Sequence, residues 1–179
     1  MLFFIRTTKF LNLPIFSIYQ KQKMSHHVFV YGTLKHNEPN HYWLTDGQNG
    51  CGKFIGEART ASKYPLVIAT RYNIPFLLYK PGDGFHVIGE VYEVDDNMLS
   101  KLDILEGHPE YYVREKDTIK LGDTKELCCW VYFIKKFKQH VLSLPYLENY
   151  SSNGCHGLPY LDRSKRDPKY NAINDVLDK

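Results

Sequence analysis

Glu106 is a carboxylate where a helix-forming pattern would put an apolar side chain. It falls four residues after Leu102 and seven after Leu99, so a helix through this stretch carries all three on one face. A carboxylate at the edge of an apolar face is costly to ionise. At a helix C-terminus the negative end of the macrodipole adds to that cost. Both effects raise its pKa toward the range in which one group can take up and return a proton near neutral pH. The competing reading is structural: the side chain reaches solvent at the helix end or pairs with a base such as Arg114. A second feature is Tyr31-Gly32-Thr33-Leu34-Lys35, directly after a strand-forming run. A glycine at that point lets successive backbone N–H groups turn toward one spot, which can hold a carboxylate or stabilise an oxyanion. Taken alone, a strand–glycine–turn is common and often only turns.

Other chemistries have less support. No P-loop, G-x-G-x-x-G or G-x-S-x-G is present, so nucleotide-binding and α/β-hydrolase readings are unsupported. Cys128 and Cys129 are adjacent, Cys51 and Cys155 stand alone, and no C-x-x-C occurs; this is neither a disulfide framework nor a zinc pattern. Buried, reduced thiols in a cytosol-like compartment are the expectation. His26, His27, His36 and His41 cluster near the first strand and its loop, His108 follows the helix, and His156 lies in the terminal stretch. None shows ligand spacing on a helix, so no metal is assigned. Asn149-Tyr150-Ser151 fits the glycosylation sequon, which matters only in a secreted chain.

The elements that must position Glu106 and the Tyr31–Lys35 turn are legible as patterns. His27–Tyr31, Phe54–Arg59, Leu66–Ala69, Phe76–Tyr79 and Val87–Val94 read as short strands. Gly56, Pro65, Pro75 and Pro81-Gly82-Asp83-Gly84 punctuate them. Alternation through Val87–Val94 predicts a half-buried strand. One helix stands out, capped by Asp95 or Asp96, with Met98, Leu99, Leu102 and Leu105 at three- and four-residue intervals. Gly107 and Pro109 end it. Strands resume at Tyr111–Leu121 and Leu127–Lys135, and beyond Pro145 the chain reads as loop. Many short strands and few helices predict a mixed α/β (α+β) domain whose sheet curls into a small β-barrel.

The chain of 179 residues carries 23 Lys+Arg against 20 Asp+Glu, a formal net charge of +3, with 43% hydrophobic and 15% aromatic residues. That suits one domain with a real core. It is too mildly basic to indicate a nucleic-acid partner. No apolar run approaches the roughly 18 residues of a membrane span. The charge is uneven: Arg6, Lys9, Lys21 and Lys23 precede the first acid, Glu38. Without those four bases, 19 Lys+Arg face 20 Asp+Glu, so the basicity belongs to the extension. Residues 1–23 read either as an organellar address, mitochondrial in that case, or as an extension with no structural role in a cytoplasmic protein. The expected organisation is an N-terminal extension at 1–24, a folded domain at 25–165 and a tail at 166–179 whose last dozen residues fray.

In combination these features resemble the γ-glutamylcyclotransferase superfamily (AIG2-like), and within it the γ-glutamylamine cyclotransferase branch. The resemblance is carried by Val28 to Lys35, Pro39-Asn40-His41, Tyr64 to Ile68, Asn73 to Leu78, Gly89 to Tyr92 and Leu102 to Glu106, with Tyr112 and Arg114 following. His156-Gly157-Leu158-Pro159-Tyr160 looks like the tail of the amine-specific branch. The resemblance implies a barrel with a cavity at its mouth, a substrate-binding loop formed by Tyr31, Gly32, Thr33 and Leu34, and Glu106 as the catalytic acid/base; Tyr112 and Arg114 are candidates for orienting Glu106 or the substrate's carboxylate. It also implies conversion of γ-glutamylamines, such as γ-glutamyl-ε-lysine from degraded transglutaminase crosslinks, to 5-oxoproline and free amine. In that reaction the substrate's own α-amine is the nucleophile, so no protein nucleophile, metal or organic cofactor is required. Two alternatives stay open: γ-glutamyl amino acids or glutathione-like peptides as substrates, and a non-catalytic binding protein of the same fold.

Overall fold

The computed structural model describes residues 26–178; the readings made for residues 1–23 lie outside them. Strand β1 (His26–Val30) is followed by a short helix α1 (Tyr42–Thr45), β2 (Gly52–Thr60), β3 (Leu66–Ile68), β4 (Pro75–Leu77) and β5 (Ile88–Val94). Helix α2 (Asp96–Glu106), β6 (Val113–Leu121) and β7 (Lys125–Phe133) complete the regular elements, and three 3-10 turns follow. Five strands close a barrel in the order β1-β5-β2-β6-β7, and β3 and β4 form a separate two-stranded sheet. All barrel pairings are antiparallel except the closing one, where Val28 of β1 meets Trp130 of β7 in parallel. Closure leaves no open sheet edge in the barrel, and Gly56 on β2 accommodates a register shift against β5. This is the mixed α+β barrel the strand pattern predicts.

Two apolar clusters fill the interior formed by the described residues. Phe29, Ala58, Val91, Ile119 and Val131, one from each barrel strand, belong to the first. Val28, Val30, Tyr92 and Val94 point the other way and pack with Met98, Leu99 and Leu102 of α2. Strand β5 is therefore covered on both faces, with Gly89 to Tyr92 all buried, where alternation had predicted a half-exposed strand. The helix lies over that second face, which local alternation does not reveal.

Helix α2 forms for local reasons. Asp95 caps it, its carboxylate accepting from the Met98 N–H at 2.8 Å. Gly107 ends it in the left-handed conformation at φ 61°, a position glycine takes at little cost. The His108 N–H then donates to Asp103 O at 2.9 Å, closing the last turn. Glu106 is consequently the final helical residue.

Two expectations are corrected. Only Cys129 is buried, its thiol pushed up to about 12 by burial, while Cys51, Cys128 and Cys155 are exposed. The expected fraying of the last dozen residues is not seen up to residue 178: Ala172, Ile173 and Val176 are buried. The Lys138 N–H donates to Val176 O at 2.8 Å. These few apolar side chains lie in a loop-like sequence without periodicity, so only the tertiary contacts show where they go.

Candidate active site

A cavity of about 350 Å³ opens where the end of β1, the end of α2 and the C-terminal segment meet. Tyr31, Gly32, Thr33, Leu34, Glu106 and Tyr112 all line it. Residues 75 apart in sequence are thereby brought to one space: the Tyr31–Leu34 turn from the end of β1 and Glu106 from the end of α2.

The turn is held from several sides. The Lys35 Nζ donates to Asn149 Oδ1 at 2.5 Å and to Tyr150 O at 2.7 Å. The His36 N–H donates to the buried Glu90 carboxylate at 2.8 Å, and the Tyr92 hydroxyl donates to the same oxygen. Asn40 closes the loop: its amide N–H donates to Thr33 O and its side chain to Thr33 Oγ1, each at 2.8 Å. Lys35 is thus an anchor beneath the turn, and burial lowers its pKa. The N–H groups of Gly32, Thr33 and Leu34 donate to no other described residue, and all three residues line the cavity. Gly32 is required by a close approach: a Cβ there would come within 2.8 Å of the Pro75 ring.

Glu106 retains some accessible surface because it faces the cavity. Protein nevertheless surrounds its carboxyl closely enough that burial raises its pKa from 4.5 to about 7, against a smaller lowering by the positive charge of Arg163. No ion pair reaches it among the described residues. Arg114 pairs instead with Asp103 at 3.4 Å and covers the Trp130 ring at 4.6 Å. The expectation that Arg114 pairs with or orients Glu106 is therefore corrected: in β6, Arg114 stands beside the preceding turn of α2. Tyr112 does reach the cavity, stacked on Phe76 with its hydroxyl 3.4 Å from Pro75 O. The Tyr31 hydroxyl donates to Tyr132 O at 2.8 Å. Burial raises both phenols well above their usual range, so both stay neutral at any ordinary pH.

Tyr160, Arg163, Arg166 and Tyr170 form a further wall that local sequence reading does not assign to the cavity. Their segment is fastened by paired bonds to Tyr72, whose hydroxyl donates to Asp167 O and accepts from the Asp167 N–H. The signal for this wall, two arginines in a loop-like stretch, is too common to stand out. Among the described residues no group of three His, Cys, Asp or Glu side chains could hold a metal ion, and no helix is long and apolar enough to cross a membrane.

A small closed barrel thus brings a carboxyl of raised pKa and the Tyr31–Leu34 turn to one cavity of a size that suits a small molecule, the arrangement of a small-molecule enzyme. The family model described as gamma-glutamyl cyclotransferase, AIG2-like, matches residues 28–152, and the chain belongs to that family. A gamma-glutamylaminecyclotransferase of Bos taurus is 49% identical over 140 residues, spanning 78% of this chain and 83% of the relative. The Homo sapiens gamma-glutamylaminecyclotransferase is 42% identical over 150 residues, spanning 78% and 98%. The crystal structure of an AIG2-like protein from Mus musculus superposes with a TM-score of 0.76 at 43% identity, covering 79% of this chain and all of that one.

Proposed function

We propose that this chain is a γ-glutamylamine cyclotransferase that releases an amine from a γ-glutamylamine and forms 5-oxoproline. The observation that carries the reading is Glu106: a carboxyl with a pKa raised to about 7 in the same cavity as the Tyr31–Leu34 amides. The substrate's α-ammonium, with a pKa near 8, gives up a proton to the Glu106 carboxylate. The freed amine attacks the γ-carbonyl carbon, closing a five-membered ring. The carbonyl oxygen becomes an oxyanion, which accepts hydrogen bonds from the N–H groups of Gly32, Thr33 and Leu34. Collapse breaks the bond to the departing nitrogen, which takes the first proton from Glu106; the ring nitrogen gives up its second proton through Glu106 to the released amine, so 5-oxoproline and an ammonium result and Glu106 returns to its ionised form. No water enters the balance. Because nucleophile and electrophile belong to one molecule, folding the substrate into reach supplies much of the acceleration.

A neutral-to-ionised switch near pH 7 suits both halves of this cycle, since a group with pKa far below 7 would accept a proton poorly and one far above would be protonated already. A purely binding protein has no need of such a carboxyl, which favours the catalytic reading. The similarity to relatives named gamma-glutamylaminecyclotransferase favours amines over amino acids or glutathione-like peptides as the departing group. Residence in the cytoplasm belongs to the same proposal, and fractionation of cells expressing the full chain tests it. Release of 5-oxoproline from γ-glutamyl-ε-lysine, measured beside γ-glutamyl-alanine and glutathione, tests the activity. Turnover of the first with little of the others is expected; turnover of none makes the chain a binding protein.

A further inference from the structure

The cavity is lined by one carboxyl, Glu106, and by two cations, Arg163 and Arg166. The proposed mechanism uses neither arginine. Arg166 is held firmly: its Nε donates to Leu161 O at 3.0 Å, and its guanidinium lies 4.9 Å from the Tyr160 ring centre and 5.2 Å from that of Tyr72. Its Nη2 is nonetheless buried and makes no hydrogen bond among the described residues. A buried, charged donor without an acceptor is costly unless a ligand supplies one. Asp162, nearby in sequence, already accepts from the Ser164 N–H and hydroxyl. Arg163 starts the 3-10 turn Arg163–Lys165 and forms no ion pair among the described residues.

We propose that Arg166, supported by Arg163, is a carboxylate-binding subsite of this cavity, built by the C-terminal segment and separate from the Tyr31–Leu34 turn. A guanidinium presents N–H donors in a plane that matches the two oxygens of a carboxylate. Stacking between tyrosine rings fixes that plane before the ligand arrives. The subsite also gives the negative end of a substrate a destination other than Glu106, whose ionised form would repel it. The proposal rests on the cyclotransferase reading for the identity of the ligand. A γ-glutamylamine offers two sources of the carboxylate: the α-carboxylate of the glutamyl group, and one on the departing amine, as in γ-glutamyl-ε-lysine.

Steady-state kinetics of Arg166→Gln, Arg166→Lys and Arg163→Gln, each checked by thermal melting, test this with two substrates. These are γ-glutamyl-ε-lysine and γ-glutamyl-n-butylamine, which has no carboxylate on its amine. Arg166→Gln is expected to raise KM about tenfold or more, as for loss of a charge-assisted hydrogen bond. Its kcat should change less than about threefold, with partial recovery in Arg166→Lys and a smaller rise in Arg163→Gln. A rise with both substrates assigns the glutamyl carboxylate; a rise with γ-glutamyl-ε-lysine alone assigns the amine's. Unchanged KM for both overturns the subsite. Should Arg166→Gln fail to fold, Arg163→Gln decides by the same KM criterion, assayed at about pH 9, where Glu106 is ionised in both proteins. If the unmodified chain turns over neither compound, the cyclotransferase reading fails first. Calorimetry with 5-oxoproline against 5-oxoprolinamide then tests the subsite alone. Tighter binding of the acid, lost in Arg166→Gln or, if that does not fold, weakened in Arg163→Gln, supports it; no preference for the acid in the unmodified chain overturns it.

Discussion

Arg114 pairs with Asp103 at 3.4 Å and not with Glu106, one turn further along the same helix. The Tyr132 hydroxyl donates to the other Asp103 oxygen at 2.7 Å, and the Tyr132 carbonyl accepts from Tyr31. Arg114 thus braces α2 against the barrel. Among the described residues, the charge of Arg163 is what opposes the effect of burial on Glu106.

Arg114→Gln should consequently cost stability without moving the ionisation of Glu106. The pair is partly buried, with side-chain exposures of 17% and 25%, which places the loss at about 1–2 kcal/mol, between exposed and fully buried pairs. Thermal melting should show a fall of a few degrees. A pH–rate profile displaced from that of the unmodified chain would mean that Arg114 acts on Glu106 after all.

Glu106→Gln should lower kcat by roughly 100-fold or more, the usual consequence of losing a general acid/base. The same substitution should raise the melting temperature in alkaline buffer. Folding raises the Glu106 pKa from 4.5 to about 7, so the folded state binds the proton more tightly. That contribution to stability is complete below pH 4.5, declines as pH rises and is lost above about 7. By linkage it amounts to roughly 3 kcal/mol at most. The neutral glutamine should therefore match the unmodified chain near pH 4 and exceed it at pH 8. Equal melting at both pH values would contradict the raised pKa.

The acid limb of kcat/KM should fall near pH 7, well above the ordinary glutamate value of about 4.3, because the base must be ionised in the free enzyme. Arg163→Gln removes the charge that holds the Glu106 pKa down, so the limb should move to higher pH. Profiles measured from pH 5 to 9 for both proteins would show it; a shift to lower pH would reverse the assigned sign.

Gly32→Ala should damage the turn and not merely stiffen it. Its Cβ would approach the Pro75 Cγ to 2.8 Å, and a proline ring has little freedom to withdraw. A cost of about 1–3 kcal/mol is expected from the overpacking, together with a loss of turnover as the amides move. Pro75→Ala removes the obstructing ring atom, so the double variant should recover stability relative to Gly32→Ala alone. Additive losses would show that the glycine is needed for another reason.

Much of this was written locally. The Asp95 cap, the leucine spacing and Gly107 are all within a dozen residues of Glu106, so the sequence determined both the helix and the carboxyl at its last position. The glycine after β1 likewise marks the turn. What the sequence did not contain as a local pattern was why that glycine is needed, since Pro75 lies 43 residues away. Nor did it show that Arg114 belongs to Asp103.

The sequence by itself determined which residues end α2, where the first strand turns, and that the short strands suit a barrel. The tertiary structure alone decided the strand order β1-β5-β2-β6-β7, the double covering of β5, and the return of Arg163 and Arg166 to a cavity whose other wall begins at Tyr31. Caps and periodicity arise from neighbours in the chain, whereas strand pairing and cavity walls depend on contacts between residues far apart. Such contacts are set by burial and close packing of the whole, and no short stretch of sequence encodes them.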